Sequence, residues 1–114
     1  FRSERIYGAY LGSTLVGMIG VHEAPHNQIE IGYWVGSAHM GKGLASEMVK
    51  AVTKMLGTYC PAQSVFAECL PSNAGSRRVL EKAGFIDSGA AGERSGCTRW
   101  QLKTASAATL PMSA

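Results

Sequence analysis

Residues 29–45 of the chain read IEIGYWVGSAHMGKGLA, and this stretch decides the fold. Its first seven residues alternate: isoleucine, tyrosine and valine share one face, while Glu30 and Trp34 share the other, as in a β-strand. From Leu44 the apolar residues recur at helical spacing as far as Leu56. This change of period across a glycine-rich turn predicts a strand that leads directly into a helix.

The same strand and helix periodicities predict further strands and a second helix before and after this strand–turn–helix segment. The second helix is expected after a cap at Ser72 or Asn73 and ends at Gly84, and the first helix is expected to end at Gly57. The predicted strands are Ile6–Leu11, Leu15–Val21, Ile29–Val35, Ser64–Leu70, a short strand that starts at Phe85-Ile86, and Cys97–Leu102. We therefore predict an α/β (α+β) domain over residues 1–104 with a mixed sheet, followed by a flexible tail at 105–114.

Composition narrows the class of protein. The 114 residues are 46% hydrophobic and 17% charged, which fits one globular domain. Three cysteines without close spacing exclude a complete disulfide framework and argue against a zinc site, so we expect a reducing, cytoplasmic setting and no metal. A net charge of +3 suits an anionic small molecule, and neither nucleic acid nor a membrane is an expected partner.

The glycine-rich turn predicts an anion site. Glycine lets the backbone approach a ligand closely, and the helix that follows presents the positive end of its dipole. A turn that uses glycine only to join a strand to a helix is the structural alternative. Residues 36–42 also fit the first seven places of a P-loop, but Gly43 stands where that loop needs a hydroxyl to hold magnesium. The antiparallel meander before the turn also argues against a P-loop protein.

Two motifs carry a family resemblance. Residues 40–45, MGKGLA, resemble the [QR]-x-x-G-x-[GA] pattern of GNAT N-acetyltransferases, with Met40 where Gln or Arg is usual. Residues 73–85, NAGSRRVLEKAGF, resemble the N-x-x-[SA]-x-x-x-[YL]-E-K-x-G-F segment of the same family. The resemblance spans Ile6 to Lys103 and is nearest to the subgroup of ribosomal-protein N-terminal acetyltransferases.

The resemblance implies a GNAT fold, with a mixed, mostly antiparallel central sheet and flanking helices. The sheet would be splayed between the strands at Tyr33 and Phe66 to admit a cofactor. Domains of this family normally begin with a strand and one or two helices, which this sequence lacks before Ile6. We therefore expect an exposed edge, and either self-association, such as a homodimer, through the hairpin Ile6 to Val21 or a longer native protein.

The resemblance also implies acetyl transfer from acetyl-CoA to a primary amine, either a protein N-terminus or a small-molecule amine. The amine would attack directly in a ternary complex, without a metal. A strand bulge near Tyr33 would turn a backbone N–H toward the thioester oxygen. A degenerate domain that binds CoA or a partner without catalysis is the alternative. The implied cofactor-binding residues are Tyr33, Trp34, Val35, Met40, Gly41, Lys42, Gly43, Leu44, Ala45, Asn73 and Ser76.

Two residues are the implied catalytic groups. Glu30 occupies a strand position where several GNAT enzymes keep a glutamate base, although a solvent-facing carboxylate is the structural alternative. Ser76 would donate a hydrogen bond to the sulfur, since Leu80 stands where many members keep a tyrosine acid. Cys69 is interpreted as a buried strand residue. The lower-ranked candidates for the base are His22, His26, Glu68 and Glu93.

Overall fold

A computed structural model describes residues 4–102 as a six-stranded sheet with two α-helices on one face. The strands are β1 (Arg5–Leu11), β2 (Thr14–Ala24), β3 (Gln28–Val35), β4 (Ser64–Cys69), β5 (Phe85–Ala91) and β6 (Thr98–Leu102). The helices are α1 (Leu44–Tyr59) and α2 (Ala74–Lys82), and a short 3₁₀ turn covers Ser37–His39. The strand order is β1-β2-β3-β4-β6-β5, and only the β3–β4 pair is parallel. The predicted mixed, mostly antiparallel sheet is confirmed.

The core lies between the sheet and the two helices, because alternate side chains of the strands point toward the face that the helices cover. Ile29 and Ile31 of β3 are fully buried, whereas Trp34 on the opposite face is 52% exposed. Removing large aliphatic side chains from water in this way supplies most of the driving force for folding. Helix α1 contributes Val49 and Leu56 to the same cluster, and α2 contributes Leu80. The core therefore fixes both helices against the strands that flank the glycine-rich turn.

The parallel pair β3–β4 is short and opens into a gap. Its register runs from Gln28 opposite Ser64 to Glu30 opposite Phe66 and ends there. Beyond Glu30, β3 continues to Val35 and pairs only with β2. The predicted splay of the sheet is present, so β3 offers a length of unpaired backbone to a ligand.

Strand β1 forms one edge of the sheet. Ile6 and Tyr10 on this strand are 61% and 62% exposed. The expected exposed edge is therefore present, and self-association through it stays a prediction. The tail predicted at residues 105–114 lies outside the described residues. Within residues 4–102 no helix is both long enough and apolar enough to cross a membrane.

Several predicted boundaries were wrong. Gly57 does not end α1, which runs on to Tyr59 because its backbone ladder continues and the N–H of Cys60 still reaches the carbonyl of Leu56. β2 extends to Ala24, because a turn with His26 and Asn27 at positive φ lets it pair with β3 to its end.

Two further details of the strands differ from expectation. β5 starts at Phe85 as predicted, but it continues to Ala91 alongside β6 across an irregular register and so is not short. The register of β3 with β2 is continuous from Gly17 opposite Val35 to Ala24 opposite Gln28, so the bulge considered near Tyr33 is absent from this ladder. An N–H for the thioester oxygen would have to come from the unpaired side of β3.

Candidate functional site

The glycine-rich turn exposes backbone amides at the start of α1. Gly41 and Gly43 both adopt φ of 79°, a left-handed conformation that side chains disfavour. Gly43 is the N-cap of α1 and, having no side chain, accepts no hydrogen bond from the first turn through one. Since the first N–H groups of a helix have no partner inside the helix, these donors and the positive end of the dipole face outward.

A cavity of about 420 Å³ lies beside this turn, between β3 and α2. It is lined by ten of the eleven predicted cofactor-binding residues, all except Lys42. Lys42 is exposed at the turn and does not line the cavity. Six lining residues were missed by sequence reasoning: His39, Ser46, Gly75, Arg78, Val79 and Lys82.

The missed cations lie on α2. Arg78 and Lys82 are four residues apart, which places them on one side of the helix, and both line the cavity. The four-residue spacing in the sequence indicates that the two cations share one side of α2. Only the fold shows that this side faces the glycine-rich turn. His39 brings a buried Nδ1 atom that has no hydrogen-bond partner within the part of the chain that is described. Two cations of α2 and the backbone at the start of α1 therefore line one cavity.

A cluster of polar side chains lies at the inner end of the cavity. Asn73 caps α2 by accepting a hydrogen bond from the Ser76 N–H at 3.0 Å, as predicted for a helix cap. The Ser76 hydroxyl lies 2.8 Å from the Tyr33 hydroxyl. Burial raises the pKa of Tyr33, and the hydrogen bond with Ser76 offsets part of this rise.

A second cavity, of about 390 Å³, begins where the first one ends. Both cavities are lined by Tyr33, Asn73 and Ser76. The remaining wall of the second cavity carries four charged side chains and one histidine: Glu4, Glu30, Glu68, Arg94 and His22. A ligand in the first cavity and another in the second would therefore meet at the Tyr33–Ser76 pair.

Glu30 is the best-placed carboxylate of the second cavity. Its side chain is only 12% exposed, so the solvent-facing alternative is wrong. His22 Nε2 lies 2.8 Å from Glu30 Oε1, and Arg94 donates to Oε2. The structure thus brings His22, a lower-ranked base candidate, directly to Glu30. The Glu30 carboxylate raises the pKa of Arg94 through this hydrogen bond and its charge.

Glu68 anchors the loop that joins β5 to β6. Its side chain is 1% exposed, and its oxygens accept hydrogen bonds from the backbone N–H groups of Glu93 and Arg94 at 2.7 and 3.0 Å. Burial favours the neutral form, but those hydrogen bonds and the charges of Arg94 and Arg99 outweigh it and lower the pKa of Glu68. Gly92 permits this contact, because a Cβ there would lie 2.5 Å from the carboxyl carbon. Glu68 therefore has a structural role.

The remaining base candidates lie close to Glu30 but outside the second cavity. Glu93 and His26 line a smaller cavity of about 280 Å³ together with His22 and Glu30.

Two further residues are buried. Leu80 is fully buried in the core and so has no access to the first or the second cavity. Cys69 lines the second cavity but is only 6% exposed, which confirms the buried strand residue, and burial raises the pKa of its thiol.

Comparison with known proteins places this geometry in a family. Residues 3–86 match the family model described as the acetyltransferase (GNAT) domain. A Bacillus subtilis protein named probable N-acetyltransferase YjcK is 35% identical over 93 residues, which cover 77% of this chain and 51% of that protein. The chain thus spans about half the length of the curated relative it matches.

Solved structures show the same fold. An aminoglycoside acetyltransferase AAC(6')-Ib in complex with coenzyme A superposes with a TM-score of 0.80 at 23% identity, over 95% of this chain and 71% of that one. A ribosomal-protein-S5-alanine acetyltransferase from Vibrio fischeri gives a TM-score of 0.68 at 19% identity, over 79% and 54%. The glycine-rich turn, the gap beside β3 and these matches together show that the chain belongs to the GNAT acetyltransferase domain family.

Proposed function

We propose that the chain binds acetyl-CoA in the first cavity and transfers its acetyl group to a primary amine in the second. The observation that carries this proposal is the meeting of the two cavities at Tyr33, Asn73 and Ser76. Direct attack requires donor and acceptor to be held together, and adjoining cavities with a common polar wall provide such an arrangement.

The residues of the first cavity fit the donor. The backbone amides of residues 41–45 at the start of α1 would hold the pyrophosphate, and Arg78 and Lys82 would bind phosphate oxygens. Trp34 and Val35 line the wall along which the pantetheine arm would extend, beside the unpaired backbone of β3. Asn73 would fix the arm near the sulfur, and Ser76 would donate a hydrogen bond to it. The proposal includes no metal.

The second cavity fits an amine. Its carboxylates from Glu4, Glu30 and Glu68 outnumber the single guanidinium of Arg94, which favours a cationic ligand. Solved relatives are named as aminoglycoside, spermidine and ribosomal-protein acetyltransferases, and all of these names imply an amine acceptor. A protein N-terminus or a small-molecule amine is the acceptor class that we propose, in a cytoplasmic protein.

The amine must lose a proton to attack. An α-amine has a pKa near 8, so it needs less help from a base than a lysine side chain does. We assign this role to Glu30, with His22 bound to one oxygen of its carboxylate. Arg94 occupies the other oxygen of the Glu30 carboxylate. For Glu30 to accept the proton of the amine, either Arg94 has to move away from this oxygen or the proton has to reach Glu30 through His22.

That occupied carboxylate also favours a second candidate function, in which the domain binds CoA without catalysis. Both oxygens of Glu30 already have hydrogen-bond partners, which weakens it as a base. The two functions share the first cavity and differ in turnover.

The deciding experiment incubates the purified chain with acetyl-CoA and a panel of N-terminal peptides, polyamines and aminoglycosides. Release of coenzyme A is measured together with the mass of the acetylated product. The proposal predicts product from at least one amine class and loss of that product after Glu30→Gln. Tight CoA binding with no acetylated product would support the non-catalytic function. Absence of any CoA binding would overturn both.

A further inference from the structure

The Tyr33 and Ser76 hydroxyls form a short chain of donors at the junction of the two cavities. Tyr33 Oη lies 2.8 Å from Ser76 Oγ and 3.4 Å from the Ser76 carbonyl oxygen. Ser76 is held in the first turn of α2 by the Asn73 cap, and Tyr33 lies on the part of β3 that has no partner in β4. The two residues therefore join α2 to β3 where a reacting ligand would lie.

The direction of this hydrogen bond decides where the serine proton points. Each hydroxyl carries a single proton, and either oxygen can be the donor. If Tyr33 donates to Ser76 Oγ, the Ser76 proton is free to point away from Tyr33 and into the cavity. If Ser76 donates to Tyr33, its proton is used within the pair. An anion beside Ser76 selects the first arrangement, because the anion needs a donor.

Two neighbours support that arrangement. Burial raises the pKa of Tyr33, so its phenol keeps the proton that it donates. Cys69 lines the second cavity together with Ser76, and burial raises the pKa of its thiol. A neutral thiol is a weak acceptor compared with a thiolate, so Cys69 would not compete for the Ser76 proton.

We propose that Tyr33 is a positioning residue that directs the Ser76 hydroxyl at the sulfur leaving the acetyl group. This inference rests on the proposed function. The bond between the amine nitrogen and the acetyl carbon forms as the carbon–sulfur bond breaks, the sulfur keeps the electron pair, and the nitrogen gives up one proton to the proposed base Glu30. Ser76 donates a hydrogen bond to this thiolate while Tyr33 donates to Ser76. No proton is transferred within the pair, since a thiolate is a stable leaving group in water and can be protonated afterwards by solvent.

The first test measures ligand binding without catalysis. Coenzyme A and its desulfo analogue, which lacks the sulfur, are titrated into the chain at about pH 9, where a larger fraction of the free thiol is ionised than at neutral pH. Tyr33→Phe and Ser76→Ala should each weaken coenzyme A binding by about tenfold, the scale of a hydrogen bond to a charged group. Binding of the desulfo analogue should stay within about twofold. Tyr7→Phe, which removes a hydroxyl from β1, is the matched control.

The second test is a double-mutant cycle on kcat with the best amine from the panel. Tyr33→Phe alone should lower kcat by about tenfold, but in the Ser76→Ala background it should add less than about twofold, since Tyr33 acts only through Ser76. An equal loss in both backgrounds, or equal weakening of coenzyme A and its desulfo analogue, would show a merely structural role and overturn the inference alone. Absence of coenzyme A binding in the unsubstituted chain would overturn the proposed function and this inference with it.

Discussion

Arg94 binds the carboxylate of Glu30 across a sequence separation of 64 residues, and this contact ties the loop after β5 to the middle of β3. The same guanidinium lies 3.4 Å from Glu68 Oε1. Two carboxylates of the second cavity are thus already paired with one internal cation. An incoming amine would share these carboxylates with Arg94 or displace it, so Arg94 is expected to tune both acceptor binding and the base.

This pairing predicts that the pH–rate profile depends on both residues. Arg94→Gln removes the cation paired with Glu30 Oε2, so the dependence of kcat/KM on pH should change. Glu30→Gln should lower kcat/KM by roughly a hundredfold and should also change that dependence. Arg77→Gln, which alters an exposed arginine that contacts the Pro71 carbonyl, is the control and should leave the profile in place. An unaltered profile in Glu30→Gln would remove Glu30 from the mechanism.

The glycine-rich turn gives a prediction on affinity. Gly43→Asp places a side chain on a residue with φ of 79° and adds a negative charge beside the proposed pyrophosphate site. Coenzyme A affinity measured by calorimetry should fall at least about tenfold, which corresponds to about 1.4 kcal/mol. Gly12→Asp, at φ of 62° in the turn between β1 and β2, is the matched control for backbone strain. Equal loss of affinity in both variants would mean that strain, not the site, is responsible.

The cations on α2 give a second prediction on affinity. Arg78→Gln and Lys82→Gln should each weaken coenzyme A binding about three- to tenfold at low salt, and less at high salt, because both residues line the first cavity. Lys42→Gln should change binding by less than about twofold, since Lys42 does not line it. A larger effect at Lys42 than at Arg78 would restore the role that the motif assigned to Lys42.

Glu68 gives a prediction on stability. Its lowered pKa means that the folded state favours the ionised carboxylate, so this contribution is present above about pH 4.3 and is lost as pH falls through the lower folded-state pKa. At pH 7, Glu68→Gln should lower the free energy of unfolding in urea by about 1.5–3 kcal/mol, and the difference should shrink below about pH 4. Glu93→Gln, an exposed change in the same loop, should cost less than about 0.5 kcal/mol. Equal costs at both positions would contradict the anchoring role of Glu68.

Local sequence patterns were sufficient for much of the fold. The alternation in β3 placed Ile29 and Ile31 in the core, and Asn73 caps α2 as its residue type and position indicated. The prediction that α1 ends at Gly57 was wrong, because a glycine inside a helix costs only about 1 kcal/mol and the packing of α1 offsets this cost. The end of β2 was missed because a turn at His26 and Asn27 has no glycine to mark its positive φ values.

Much of the site could not be predicted from the sequence, because it depends on contacts between residues that are far apart along the chain. Ser76 was found through its motif, but its hydroxyl partner Tyr33 lies 43 residues earlier and was assigned only a backbone role. Arg94 stands in a loop without a motif and reaches Glu30 only because Glu68 fixes that loop. Such juxtapositions follow from sheet order, which the local periodicity does not specify.

The central claim is that the two cavities hold a thioester donor and an amine on either side of Tyr33 and Ser76. A crystal structure of the chain with coenzyme A tests it most directly. We predict the pyrophosphate over Gly41–Ala45, the pantetheine arm along the unpaired side of β3, and the sulfur within hydrogen-bonding distance of Ser76 Oγ. Coenzyme A bound elsewhere, or bound in the first cavity with its sulfur directed away from Ser76, would contradict the claim.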